Sequence, residues 1–236
     1  MSPLSPLSPP KPTPIWRFWV PLLFQTILIL AVPAQALYTQ LTGKTVILQT
    51  VPVDPYELLR GYSQTLRYDI SRQDNLRKLP GWQELPTQPS DGNKLTFIKS
   101  GTRLYVILQA PASPTSGELP QAWKPVAVTL KRPSQLPTNQ VALQGLAQHG
   151  LVEYGLETYY IPEDQREQIN ADLGEARLTN PSQSQQTQAS ANSTQSPQKP
   201  PVVMEIRVDA QGNAVPISLW ARVGKASKQT IRNYRF

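Results

Sequence analysis

The sequence predicts a mainly β protein, in which an N-terminal transmembrane helix precedes an antiparallel β-sandwich or barrel-like domain with one or two short helices. One observation behind this prediction is a long apolar stretch near the start, residues 15–38. A second is the series of short strand-like runs, separated by turn signals, between residues 44 and 221. The third is composition, because 25 prolines and only 17% charged residues favour short strands and turns over long helices.

The N-terminal segment is predicted to anchor the protein in a membrane. Residues 1–14 are rich in proline, serine and leucine and are predicted to be a disordered cytoplasmic tail. Residues 15–38 are long enough to cross a bilayer, and Arg17 is their only charge. Aromatic residues stand at both ends of this span, as in an interfacial belt: Trp16, Trp19 and Tyr38. Lys11 and Arg17 lie on the N-terminal side, which predicts that this end is cytoplasmic and that the later residues are exported.

Two other interpretations of the apolar stretch stay open. Ala34-Gln35-Ala36 fits the small-x-small pattern of a signal-peptide cleavage site, which would release a secreted β domain. A core helix of a soluble domain is the less favoured interpretation, because a proline-rich tail precedes the stretch and aromatic residues flank it. With an anchor or a cleaved signal peptide alike, the folded body is exported.

The exported domain, residues 44–221, begins with a strand at Thr45–Val53, where β-branched residues predominate. A capped helical turn is predicted next, at Pro55–Arg60. Asp54 suits the N-cap and Glu57 completes a capping box, while Gly61 can adopt the left-handed conformation that ends a helix.

Strands are predicted to follow in series. Leu66, Tyr68 and Ile70 alternate with polar residues, which is typical of a half-buried strand. Further short runs between turn signals predict strands at Leu95–Ile98, Arg103–Gln109, Trp123–Lys131, Val141–His149 and Leu151–Tyr160, with a tight hairpin at Gly150.

The C-terminal third is predicted to alternate between ordered and disordered segments. A second helix is expected from Pro162 to Gly174, and residues 175–201 are predicted to be a disordered insertion because they are almost entirely polar. Two strands then surround a turn at residues 211–213. Residues 222–236 form a basic C-terminal tail, for which a solvated tail or a basic edge strand is favoured over contact with anionic lipid.

Charge and residue types exclude several classes of function. The net charge of +7 arises from two cations within residues 1–36 and five within residues 222–236, so residues 37–221 are neutral. A nucleic-acid-binding domain would carry a basic stripe on its body, and none is predicted. Cysteine is absent and His149 is the single histidine, which argues against a metal site, and no motif predicts a cofactor.

The sequence contains only weak candidates for a set of catalytic residues. Asp69 paired with Glu57 or Glu153 could serve glycoside hydrolysis if the carboxyl groups lay about 5–10 Å apart. A capping role for Glu57 and a solvated strand face for Asp69 are the stronger interpretation. Ser63 and His149 could begin a nucleophilic triad, but the sequence around Ser63, "RGYSQ", lacks the glycines of a nucleophile elbow.

Binding residues are predicted in two places. Arg60 and Tyr68 flank the corner between the first two strands. Tyr159 and Tyr160 lie close to Tyr154, and tyrosines on a strand either stack on sugars and peptides or fill a core edge, which is the commoner role.

Two blocks resemble a known family. "RGYSQTLRYDIS" resembles the signature of the GDYXXLXY proteins, which are membrane-anchored bacterial proteins, and "YGLETYYIPE" looks like their second block. The matching positions are Gly61, Leu66, Tyr68, Tyr154, Gly155, Pro162 and Glu163. The resemblance runs from Ile15 to Asn170 and, more loosely, over Val202–Trp220. It implies a bacterial plasma-membrane location with the C-terminal domain in the periplasm or outside the cell, but no reaction.

This chain departs from the family signature at one position that bears on chemistry. The family has Asp-Tyr after the glycine, and this chain has Tyr62-Ser63. A carboxylate required for acid or base catalysis could not be replaced in this way without loss of the reaction. The sequence therefore predicts a non-enzymatic binding or scaffold domain with a membrane or envelope protein as partner. An envelope polysaccharide hydrolase is the alternative.

Overall fold

The computed structural model describes residues 15–51, 63–90, 93–112, 119–160, 202–223 and 230–235. The chain divides into two compact units, Met1–Tyr38 and Thr39–Phe236. The predicted N-terminal tail, the predicted helices at Pro55–Arg60 and Pro162–Gly174, and the predicted insertion at residues 175–201 lie outside the described residues.

Helix α1 spans Trp16–Thr42, four residues beyond the predicted anchor. The mean hydropathy of its most apolar 18 residues is 1.9, and none of these residues is buried. The length and composition of α1 are sufficient for a membrane span. A signal sequence near the N-terminus can have the same length and composition. Gly43 follows the last helical residue, and a glycine fits there because a Cβ atom would lie 2.4 Å from the carbonyl oxygen of Thr39.

The second unit is built mainly from thirteen short strands in the described part of the chain. Their bounds are β1 Lys44–Val51, β2 Ser63–Thr65, β3 Arg67–Tyr68, β4 Thr87–Ser90, β5 Asn93–Ile98, β6 Arg103–Gln109, β7 Lys124–Thr129, β8 Gln140–Gln148, β9 Leu151–Glu153, β10 Thr158–Tyr160, β11 Val202–Val208, β12 Ala214–Val223 and β13 Thr230–Arg235. A short helix, α2, spans Gln73–Leu76, and 3₁₀ turns span Asp69–Ser71 and Trp82–Glu84. The predicted mainly β class is confirmed.

Neighbouring strands pair antiparallel throughout the described residues. One sheet has the order β13-β12-β11-β1-β3 and another the order β7-β6-β8-β9, and β10-β2 and β4-β5 form separate pairs. Consecutive strands joined by short turns account for β8-β9 and β11-β12, as the glycine-containing turn sequences predict.

The two larger sheets contribute to one hydrophobic core. Alternate residues of β11 face this core, and Met204 and Ile206 are fully buried among them. Leu104, Val106 and Leu108 of β6 supply the opposing sheet in the same way. Full burial of each such side chain stabilises the fold by about 1.5–3 kcal/mol. A shared core of this kind is typical of a sandwich-like packing of two antiparallel sheets.

The turn between β11 and β12 is organised by Asp209. Its Oδ1 accepts hydrogen bonds from the backbone N–H groups of Gln211 and Asn213, both at 2.9 Å. Its Oδ2 accepts bonds from the Asn213 side-chain amide at 3.0 Å and from the Thr39 hydroxyl at 2.8 Å. Thr39 is 1% exposed. The carboxylate therefore binds both its own turn and the last helical turn of α1.

Two details differ from the sequence prediction, and a third decides between two predicted alternatives. Leu66, Tyr68 and Ile70 are buried as predicted, but the run is broken, because β3 ends at Tyr68 and a 3₁₀ turn follows. The predicted strand at Leu151–Tyr160 is divided into β9 and β10, since Gly155 has a φ of +74°. Residues 222–236, expected to be a solvated tail or a basic edge strand, contain edge strand β13, whose Tyr234 packs in the core.

Candidate functional site

Tyr68 places the first family block in the centre of the core. β3 pairs with β1, opposite Thr50, and the side chain of Tyr68 is fully buried. The Tyr68 hydroxyl donates a hydrogen bond to the backbone carbonyl of Leu156 at 2.7 Å. Leu66, on the same block, is also buried. These two family positions therefore serve packing and an internal hydrogen bond.

Tyr154 makes the reciprocal contact from the second block. Its hydroxyl donates to the backbone carbonyl of Ile70 at 2.7 Å. Each block thus sends a tyrosine to a carbonyl two residues beyond the other block's tyrosine. We call Tyr68, Tyr154 and the carbonyl groups of Ile70 and Leu156 the tyrosine clasp.

Backbone contacts reinforce the tyrosine clasp. The N–H group of Leu66 donates to the carbonyl of Glu157 at 2.7 Å. The Glu157 carboxylate accepts a hydrogen bond from the N–H group of Tyr154 at 2.5 Å. Strands β2 and β10 continue the contact, with Thr65 paired to Thr158.

Both clasp hydroxyls are held in their neutral form. Burial raises the pKa of Tyr68 well above its usual value, and the negative charge of Glu157 raises it further. The same causes raise the pKa of Tyr154. A neutral phenol that donates to a carbonyl is suited to holding two segments together. A tyrosine that acts as a nucleophile or base would instead need a lowered pKa.

Gly145 of β8 makes room for the ring of Tyr154. A Cβ atom at Gly145 would lie 2.5 Å from Cγ1 of Val152 and 2.9 Å from Cε1 of Tyr154. An isolated glycine within the strand sequence "QVALQGLAQ" is the sequence signal that could have indicated such a close approach.

A groove of about 270 Å³ lies beside the tyrosine clasp. It is open to solvent and combines strand and turn residues. Its lining comprises Arg103, Gln144, Gly145, Leu146, Glu153, Tyr154, Gly155, Gly212, Asn213 and Ala214. The groove therefore lies between the end of β9 and the turn between β11 and β12, which is fastened to β8 by a hydrogen bond from the Gln144 N–H group to the Gly212 carbonyl at 2.9 Å.

Two opposite charges flank the groove. Arg103 of β6 and Glu153 of β9 are both paired with Leu146 of β8, so the three residues form one row across the sheet. Arg103 is exposed and Glu153 is half-buried. Within the described residues, neither side chain has a hydrogen-bond or ion-pair partner. Sequence reasoning missed Arg103, because only strand pairing brings it near the second family block.

The carboxylates considered as a possible pair for glycoside hydrolysis have different surroundings. Oδ1 of Asp69 accepts a hydrogen bond from the Asn75 side chain at 2.7 Å and so supports the start of α2. Glu153 lies in the groove, and Glu57 lies outside the described residues. Across the described ranges, there is no group of three or more histidine, aspartate or glutamate residues that could hold a metal ion.

The other predicted residues fall at several places. His149 is exposed in the turn between β8 and β9 with a φ of +49°. Ser63, Tyr159 and Tyr160 lie on the paired strands β2 and β10. Gly155 begins the turn that follows β9 and has open space around it. The remaining predicted positions lie outside the described residues: Arg60, Gly61, Pro162 and Glu163.

Comparison with known proteins gave one family match. The family described as GDYXXLXY protein matches residues 25–219 of the chain. No match was found among the curated proteins or the solved structures. The matched range includes both halves of the tyrosine clasp and all the residues that line the groove.

Proposed function

We propose that this chain, which belongs to the GDYXXLXY family, is a single-pass membrane-anchored envelope protein with a non-enzymatic binding or scaffold domain in the periplasm. The observation that carries this proposal is helix α1. It has 27 residues and therefore measures about 40 Å, which exceeds the ~30 Å hydrocarbon core of a bilayer. Its large apolar side chains are exposed, among them Phe24, Ile27 and Leu30. In water this exposure would be costly, and in lipid it is favourable.

The roles of the family residues support a binding or scaffold function. Leu66, Tyr68 and Tyr154 are buried and hold the two blocks together. Asp69, the acidic residue of the first block, supports a helical turn. These side chains stabilise the fold, which favours a binding or scaffold function over a reaction carried out by the family residues.

Anchoring and cleavage make different predictions at the end of α1. The small-x-small sequence Ala34-Gln35-Ala36 lies inside the helix, and Thr39 binds Asp209 only three residues later. We expect the mature chain to keep its N-terminal residues, because an uninterrupted helix offers a peptidase no extended cleavage site. Mass spectrometry of the purified mature protein checks this point, and a chain that begins at Leu37 would refute the anchor.

The absence of cysteine from the sequence allows a direct topology experiment. Ser5→Cys reports the N-terminal side of the apolar helix, and Lys99→Cys reports an exposed position of the β domain. A membrane-impermeant maleimide should label Lys99→Cys in cells with a permeabilised outer envelope, and Ser5→Cys only after lysis. The cysteine-free parent protein is the matched control. The reverse labelling pattern would refute the proposed orientation.

The scaffold role is tested by capturing a partner in the membrane. Mild crosslinking of intact cells, followed by purification of the tagged full chain, should recover the same membrane or envelope protein in repeated experiments. A variant with a broken tyrosine clasp, Tyr68→Phe with Tyr154→Phe, should recover less of that protein. Recovery of no reproducible partner would contradict the scaffold function.

A further inference from the structure

We infer that the groove beside the tyrosine clasp binds a short peptide with free termini, with the peptide carboxylate at Arg103 and its ammonium group at Glu153. This inference rests on the proposed binding function and specifies the chemistry of one ligand. It draws on the arrangement of charge and backbone around the groove.

The charge arrangement of the groove selects a zwitterion. Arg103 and Glu153 flank Leu146 in one row of three antiparallel strands, so their side chains project from the same face of the sheet. Neither charge has a partner within the described residues. A purely anionic ligand would meet Glu153, and a purely cationic ligand would meet Arg103. A ligand with one charge of each sign satisfies both side chains.

The backbone spacing between Arg103 and Glu153 sets the length expected of the ligand. Adjacent strands lie about 4.8 Å apart, so Arg103 and Glu153, two strands apart, are separated by about 10 Å at the backbone. An extended peptide advances about 3.4 Å per residue, and three residues therefore span about 10 Å. A tripeptide can reach from one side chain to the other.

The rest of the groove is suited to a peptide backbone. Gly155 has open space where a side chain would lie, which allows a ligand to approach its backbone closely. The Asn213 amide nitrogen donates to Asp209 at 3.0 Å, which leaves its amide oxygen as an acceptor for a ligand N–H group. Gln144 adds a second amide at the same wall.

The test measures peptide binding to the full chain in detergent micelles by isothermal titration calorimetry. The probes are tri-alanine, N-acetyl-tri-alanine and tri-alanine amide, which differ only in the charged ends. We expect tri-alanine to bind with a Kd on the order of 1 mM, because solvent-accessible charge pairs contribute modestly. Each blocked peptide should bind at least fivefold more weakly.

Two variants test the assignment of each end. Arg103→Gln and Glu153→Gln should each weaken tri-alanine binding by about fivefold, since each removes one accessible ion pair. Arg103→Gln should bind tri-alanine and its amide equally well, and Glu153→Gln should bind tri-alanine and its N-acetyl form equally well. Matched controls remove an exposed charge elsewhere, Glu84→Gln and Lys131→Gln, and should leave binding unchanged.

Three results would overturn the inference. The first is no binding of tri-alanine at a peptide concentration 10-fold above the expected Kd. The second is that the unmodified protein binds the blocked peptides as tightly as tri-alanine. The third is that only one of the two variants binds tri-alanine more weakly. The measurement uses purified protein and does not depend on topology or on a captured partner. Failure here is therefore distinguishable from failure of the proposed scaffold function.

Discussion

The tyrosine clasp makes a quantitative prediction for Tyr68→Phe. The change removes one hydroxyl group and leaves the Leu156 carbonyl without its 2.7 Å donor in a fully buried environment. A lost buried hydrogen bond costs about 1 kcal/mol, and an unsatisfied buried acceptor adds about 1–3 kcal/mol. We therefore expect a loss of about 2 kcal/mol in the free energy of unfolding, which corresponds to a Tm lower by about 4–8 °C.

Alkaline pH supplies an independent test of the same clasp. The pKa of Tyr68 is raised in the folded state, so its contribution to stability is complete below the unfolded pKa and is lost as pH rises above it. Above pH about 10 each such tyrosine lowers stability by about 1.4 kcal/mol per pH unit, because only the unfolded chain ionises. The Tyr68→Phe variant should lack this share of the alkaline dependence.

The assay is urea unfolding of the full chain in detergent micelles, followed by tryptophan fluorescence at several pH values. Tyr105→Phe is the matched control, since the Tyr105 hydroxyl has no hydrogen bond within the described residues and the ring is only half-buried. The control should change stability by less than about 0.5 kcal/mol. If Tyr68→Phe behaves like the control in both stability and alkaline slope, the reasoning about the clasp is refuted.

Three further predictions concern stability and use the same fluorescence assay. Gly145→Ala should destabilise the fold by about 1–3 kcal/mol, because its Cβ would lie 2.5 Å from Cγ1 of Val152. His149→Asn should stabilise it by about 0.5 kcal/mol, because asparagine tolerates the φ of +49° better than histidine does. Asp209→Asn should cost about 1–3 kcal/mol, since it removes a buried carboxylate that accepts four hydrogen bonds.

The Asp209 prediction has a pH dependence of known sign. Burial by itself raises the pKa of Asp209, but hydrogen bonds from Asn213, Thr39 and Gln211 outweigh burial and hold the pKa below its usual value. The stabilisation is therefore present above the unfolded pKa, about 4, and is lost as pH falls through the folded pKa. Asp209→Asn should unfold with a weaker acid dependence than the unmodified chain.

Each of these three predictions has an outcome that would contradict it. An unchanged Tm for Gly145→Ala would mean that the Val152 and Tyr154 side chains move aside at no cost. A lower Tm for His149→Asn would show that the histidine ring makes a favourable contact. An unaltered acid dependence in Asp209→Asn would mean that the hydrogen bonds to the carboxylate do not outweigh its burial.

The positions of many strands along the chain could be predicted from local sequence. Arg103–Gln109 was predicted with the bounds that β6 has, and the hairpin at Gly150 lies where the glycine predicted it. The turn at residues 211–213 also joins two strands as predicted. Helix α2 was missed, because its four residues carry neither a periodic apolar pattern nor a side-chain cap.

The sequence by itself determined the elements whose causes are local. An apolar run specifies α1, alternation of apolar and polar residues specifies strands, and glycine specifies turns that need a positive φ. Tertiary structure decided the contacts that carry the function proposed for the domain. The clasp joins Tyr68 to Leu156, Asp209 accepts a hydrogen bond from Thr39, and β8 places Arg103 and Glu153 in one row. These partners are far apart in the chain, and strand register brings them together through pairings that no local pattern encodes.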